Sequence, residues 1–133
     1  MDTKVRTTRE DLLYPELSYK ILGILFDVFK ALGPGRKEHV YQNAVAQGLK
    51  TAKINFTEQS YSNVKYQDVI VGKYYFDFLI EGVIVLELKV RNYFSIKDIE
   101  QILNYLKTAN LKLGILAHYT KDGVKYKRVV NIN

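Results

Sequence analysis

The sequence has no cysteine and only two histidines among its 133 residues. Without thiolates neither a disulfide framework nor a cysteine-based zinc site can form, and two imidazoles cannot alone build a histidine-rich one. Any bound metal must therefore rest mainly on oxygen ligands. Proline occurs only at Pro15 and Pro34, and there is no internal repeat, low-complexity tract or Pro/Gly/Ser linker. Long apolar runs are also missing. None approaches the roughly 18 residues of a membrane span, and Met1 to Arg9 is polar, without the apolar stretch of a signal peptide. The expectation is one continuous domain over 1–133, with 1–10 flexible, in the cytoplasm and away from membranes.

What is present is ordinary for a globular chain, with 47% apolar and 26% charged residues. Twenty Lys and Arg against fourteen Asp and Glu leave a formal charge of +6. That field favours an anionic partner, nucleic acid among them. The lysines are scattered without a block of like charge, so charge supports such a partner without defining it.

Apolar residues at Leu17, Ile21, Ile24, Leu25, Val28 and Leu32 recur at helical spacing and predict a helix over Glu16–Leu32, ended by Gly33-Pro34-Gly35. A second helix is expected from about Lys37 to Lys53, with Val40, Ala44, Val45, Leu49 and Ala52 buried and Glu38 in its first turn. The period then shifts towards two, predicting sequential antiparallel strands over Ile54–Val64, Tyr74–Ile80 and Val83–Val90. The last is apolar on both faces until Glu87, which suits a central strand covered on two sides. Ser95, with Asp98 three residues on, reads as a variant capping box opening a third helix that ends near Asn110. Leu113–Tyr119 reads as a strand joined by a parallel crossover, and Tyr126–Val130 as an edge strand. The fold class is α/β, a mixed sheet of four to five strands flanked by helices.

Alternation puts Glu87 and Lys89 on one face of their strand. Asp77 joins them only if the preceding connection has the right parity. A three-residue loop Glu81-Gly82-Val83, with Gly82 at positive φ, would bring Asp77 directly across from Glu87. Two adjacent carboxylates repel unless a cation lies between them, and Mg²⁺ takes oxygen ligands completed by water and phosphate. Such a site points to phosphodiester hydrolysis, with Lys89 holding the attacking hydroxide or the phosphorane. By spacing alone an exposed cross-strand salt bridge, worth about 0.2–1 kcal/mol, is the preferred reading, and what raises the site reading is that the triad falls on a hairpin whose second strand is otherwise buried.

Several motifs in order carry a resemblance: Gly35-Arg36-Lys37-Glu38-His39-Val40-Tyr41, Tyr75-Phe76-Asp77-Phe78-Leu79, Val85-Leu86-Glu87-Leu88-Lys89, Gln101-Ile102-Leu103-Asn104-Tyr105-Leu106-Lys107 and Lys127-Arg128-Val129-Val130. The chain resembles the GxxExxY proteins of the PD-(D/E)XK nuclease superfamily. That resemblance implies a restriction-endonuclease-like core and a Mg²⁺-dependent deoxyribonuclease, with Mn²⁺ able to substitute. It implies a catalytic set of Asp77, Glu87, Lys89, Glu38 and Gln101, and metal ligation by Asp77, Glu87, Leu88 and Glu38. Tyr105, one turn beyond Gln101, is the substrate candidate. Tyr41 is expected to pack rather than to react.

The chain departs from the family pattern at Asp98, where histidine is common, and at His118-Tyr119, where Asn-Phe is common. Asp98 is expected to cap its helix or to support the site from behind, and His118 to be a strand histidine with a satisfied ring. Of the eleven tyrosines, Tyr61, Tyr66, Tyr74, Tyr75, Tyr93 and Tyr119 could stack on unpaired bases, with core packing the expected role for most. The expected function is cleavage of nucleic acid, DNA by preference, with homodimerisation allowed. The alternative is a nucleic-acid-binding or protein-interaction module with a weak or vestigial site.

Overall fold

The computed structural model describes residues 13–132; the expectation for residues 1–10 falls outside them. The elements are α1 (Pro15–Leu32), α2 (Glu38–Thr51), β1 (Phe56–Tyr66), β2 (Val69–Ile80), β3 (Ile84–Val90), α3 (Ile96–Ala109), β4 (Leu113–Tyr119) and β5 (Val124–Val130). They form one mixed sheet in the order β1-β2-β3-β4-β5, parallel only between β3 and β4. No described helix is long and apolar enough to cross a membrane.

Helix α1 opens with Pro15 in its first turn, where a missing N–H costs nothing, and closes on Gly33, whose N–H bonds the Phe29 carbonyl at 2.7 Å. Positive φ at Gly33 and Gly35 (72° and 87°) turns the chain into α2. Its buried stripe is Tyr41, Val45, Ala46 and Leu49, and Ala52, expected inside, is exposed beyond the helix end. Ser95 caps α3 as expected, its Oγ accepting the Lys97 N–H at 3.1 Å. Asp98 does not complete a capping box. Its carboxylate turns to Arg91, 2.8 Å away, because a guanidinium is a stronger partner than a main-chain amide.

Two cores lie on the two sides of the sheet. Ile84, Leu86 and Leu88 of β3 pack with Ile21, Leu25, Val45 and Leu49 of α1 and α2. Val85 packs on the other side with Ile102, Tyr105 and Leu106 of α3 and Leu116 of β4. Strand β3 is thus central and covered twice, as its sequence requires. Gly114 on β4 lets α3 sit close, for a Cβ there would stand 2.6 Å from Ile102 Cγ2. Gly114→Ala is expected to cost about 1–3 kcal/mol by overpacking. Urea denaturation measures this, and an unchanged midpoint would show that α3 yields freely.

Hairpin β1–β2 is longer than its sequence pattern predicted. Strand β2 starts at Val69, behind a two-residue turn in which Gln67 and Asp68 are both left-handed (φ 52° and 64°). Such a turn normally carries Asn-Gly or Asp-Gly, so Gln-Asp gives little signal. Strand β5 likewise begins at Val124 rather than Tyr126.

Candidate active site

The connection from β2 to β3 is the three-residue loop Glu81-Gly82-Val83, with φ of 51° at Glu81 and 69° at Gly82. Its register pairs Ile80 with Ile84, Leu79 with Val85 and Phe78 with Leu86, and one further step sets Asp77 opposite Glu87. The main-chain ladder stops there. Side chains take over: Asp77 Oδ2 accepts the Leu88 N–H at 2.7 Å, and Glu87 Oε1 accepts the Asp77 N–H at 2.9 Å. Each carboxylate satisfies an amide of the other strand, so the opening leaves these donors paired.

The pleat also changes at this point. Tyr74 and Phe76 pack beneath α3, whereas Phe78 and Ile80 pack towards α1 and α2. On β1 the partner position, Gln59, has φ of 54°, and the ladder skips between Glu58 and Ser60. Simple alternation therefore fails across Asp77. The carboxylate meets Gln42 of α2, whose Nε2 donates to Oδ1 at 3.0 Å, while Glu87 lines a cavity on the α3 side. The two acids converge where the sheet opens between its layers.

Around this pair the expected residues divide. Lys89 Nζ lies 3.6 Å from Glu87 Oε2. Gln101 lines the cavity together with Glu87, Lys89, Asp98 and Tyr105. Tyr105 is 5% exposed with its ring 4.0 Å from that of Phe76, and burial pushes its phenol up to about 12, so it forms the floor and stays neutral. The Leu88 side chain is buried in the α1/α2 core and its N–H is given to Asp77, leaving only its carbonyl as a ligand. Glu38 is exposed and reaches the pair through Gln42, whose Nε2 also stands 3.3 Å from Glu38 Oε2. Among the described residues no three acids or histidines stand close enough to hold a metal by themselves.

Gln42 escaped notice in the sequence, although it lies one helical turn beyond Glu38 and on the same face. Tyr41 packs as expected. Its ring stacks on Tyr119 at 4.1 Å and its hydroxyl donates to the Gly33 carbonyl at 2.6 Å. His118 departs from expectation. It is 1% exposed and stacked on Phe94 at 4.1 Å, and apart from a weak approach to the Tyr93 main chain neither ring nitrogen has a hydrogen-bond partner among the described residues. Burial first, then the Arg91 charge, hold its pKa below the usual value, so the ring is kept neutral.

Burial pushes the Glu87 carboxyl up to about 7, and the neighbouring Asp77 charge adds to this, against the Asp77 N–H and Lys89. Asp77 is raised too by burial, offset by the Leu88 amide, Gln42, Glu87 and Lys89. Two half-buried carboxylates that resist ionising together, each with one oxygen beyond its main-chain amide bond, Asp77 Oδ1 shared with Gln42 and Glu87 Oε2 beside Lys89, suit a hard divalent cation.

Residues 15–129 match the PD-(D/E)XK nuclease superfamily. The chain belongs to that superfamily. Its five-stranded mixed sheet with flanking helices is a restriction-endonuclease-like core. Among solved structures, the crystal structure of SSO0001 aligns with a TM-score of 0.56 at 17% identity, covering 95% of this chain and 61% of that one. An alkaline exonuclease (LHK-Exo) from Laribacter hongkongensis aligns with a TM-score of 0.53 at 12% identity, covering 70% of this chain and 55% of that one. This PD-(D/E)XK chain thus spans about three fifths or less of either match. No protein of curated function matches the sequence.

Proposed function

We propose that this PD-(D/E)XK protein is a divalent-metal-dependent deoxyribonuclease, with Asp77, Glu87 and the Leu88 carbonyl as the oxygen set for Mg²⁺ or Mn²⁺ and with Glu38, too far away to complete a set of three acids, supporting them from α2 through Gln42. The observation that carries the reading is the opened ladder at Asp77 and Glu87, where two half-buried carboxylates face each other and Glu87 is raised to about 7. A cation bound there supplies charge neutralisation at the phosphodiester and lowers the pKa of a water. Lys89, beside Glu87, donates to the attacking oxygen or to a phosphoryl oxygen. Gln101, on the exposed edge of the cavity, positions a phosphate oxygen or water through its amide. Gln42 holds Asp77 and Glu38 in register from α2. The Glu38 and Tyr41 motif on α2, with Asp77, Glu87, Lys89 and Gln101 following in order, supports the narrower reading as a GxxExxY protein.

Calorimetric titration of wild type and Glu87→Ala with Mg²⁺ and Mn²⁺, followed by incubation with labelled single- and double-stranded DNA, tests this. Metal binding lost in the variant, together with metal-dependent cleavage, is the expected result. A wild type that binds no metal even with DNA present sinks the nuclease reading and favours an interaction module. Gln42→Ala is expected to lower metal affinity or cleavage about 10–100-fold, as loss of a group that orients a ligand does. Single-turnover rates over a metal series measure it, and a wild-type rate would make the Gln42 bridge idle.

A further inference from the structure

The β1–β2 hairpin runs past the point where β2 leaves β3. Beyond Asp77, β2 is paired only with β1, from Phe76 with Ser60 to Val69 with Tyr66. On this arm, one pleat before Asp77, Tyr75 is 56% exposed and pairs with Tyr61, 52% exposed, at a centroid distance of 5.8 Å. Lys73 places its ammonium 4.4 Å from the Tyr61 ring centroid. Tyr75 also lines the cavity that contains Glu87, Lys89 and Gln101, so the aromatic pair is continuous with the candidate active site. Of the four remaining stacking candidates, Tyr66 and Tyr93 are exposed but do not line this cavity, and the other two are covered. Tyr119 is buried against Tyr41, and Tyr74 packs into the α3 core.

We infer that Tyr61 and Tyr75, with Lys73, form a stacking platform that delivers an unpaired DNA strand to the carboxylate pair, which makes single-stranded DNA the preferred substrate class; the inference rests on the nuclease reading above. Two neighbouring aromatic rings half open to water beside the cavity form a contiguous patch of the kind that marks a binding surface. The chemistry of this patch, aromatic faces beside an ammonium, matches a base next to a phosphate, and the chain's charge of +6 matches the polyanion. A tilted pair presents edges and faces to successive bases without hydrogen-bond readout, so the platform tolerates any sequence. Bases inside a duplex cannot use it, because their faces are already stacked.

Fluorescence anisotropy with labelled oligo(dT) and with a hairpin duplex of the same length, with Ca²⁺ in place of Mg²⁺, tests the platform. Wild type is expected to bind the single strand more tightly. Tyr75→Ala and Tyr61→Ala should each weaken it on the order of tenfold, as loss of one stacked base does. Tyr75→Phe should retain affinity, and in cleavage assays the alanine variants should raise KM while kcat holds. Both tyrosines are more than half exposed, so melting temperatures should stay at wild type. Equal affinity for duplex and single strand, or alanine variants that bind as wild type does, overturns the platform. The nuclease reading then survives if wild type still cleaves DNA and Glu87→Ala does not. A wild type that binds neither DNA overturns both.

Discussion

Glu87→Gln is expected to lose DNA cleavage on the order of 10³-fold while making the metal-free protein more stable near pH 8. The loss follows from replacing the proposed anionic ligand by a neutral amide between Asp77 and Lys89. The gain follows from the state of the carboxyl before any cation arrives. It is raised from 4.5 to about 7, chiefly by burial and next by the Asp77 charge. A raised acid holds its proton more tightly in the folded chain than in the unfolded one. Metal-free stability is therefore undiminished below about pH 4.5, falls as pH rises between the two values, and above about 7 has lost its full increment, on the order of 3 kcal/mol. Asp77, raised in the same direction, adds to the loss.

The amide introduced by Glu87→Gln carries no charge to desolvate and keeps an oxygen for the Asp77 N–H, so over that window the variant should keep only the pH dependence that Asp77 supplies. Saturating Mg²⁺ should restore the wild type, by about 2.7 kcal/mol at a hundredfold excess over Kd, and leave the variant unmoved. Urea midpoints in EDTA and in Mg²⁺, from pH 5 to 8, give all three readings. A wild type whose stability is level across that range, or a variant that responds to Mg²⁺ as wild type does, would contradict the proposed electrostatics. Stability yielded to function in this way is the usual character of a site that must hold unlike states.

Much of this arrangement was legible in the residues because it depends on parity and period. The odd loop with Gly82 at positive φ fixed Asp77 opposite Glu87, and the two-faced apolar run of β3 announced its central place. What escaped has physical causes. The left-handed Gln59 and the pleat change at Asp77 are tertiary compromises: β1 and β2 must twist to serve both layers, and neither residue type advertises it. The turn at Gln67-Asp68 adopts a glycine-like conformation without glycine, hiding the outer half of the hairpin. Gln42 hid as an ordinary polar helix residue because its value lies in a strand 35 positions away. His118 was expected to find a partner, but the wall it joins offers the Phe94 ring, the charges of Arg91, Asp98 and Lys89, and no more than a weak approach of the Tyr93 main chain.

Tyr41→Ala should remove about 3–5 kcal/mol of stability and with it the placement of Glu38 and Gln42, whereas Tyr41→Phe should cost about 1 kcal/mol and leave cleavage near wild type. The ring is 1% exposed and lies flat on Tyr119, with an interplanar angle of 5°. Tyr119 in turn stacks against Phe29 and donates its hydroxyl to the Leu25 carbonyl, so Tyr41 ties α2 to both β4 and α1. Its hydroxyl closes the Gly33–Arg36 turn by donating to Gly33 and accepting the Arg36 N–H at 3.3 Å. Deleting the ring opens a cavity beneath the first turns of α2, the segment that carries Gln42 to Asp77 and Glu38 beside it. Deleting only the hydroxyl leaves that packing whole and frees one carbonyl and one amide at a part-exposed turn. Thermal unfolding of both variants with single-turnover cleavage separates the roles. A phenylalanine variant that folds but does not cut would make Tyr41 a participant in the chemistry, and an alanine variant as stable as wild type would mean that α2 is held by Val45 and Leu49 without it.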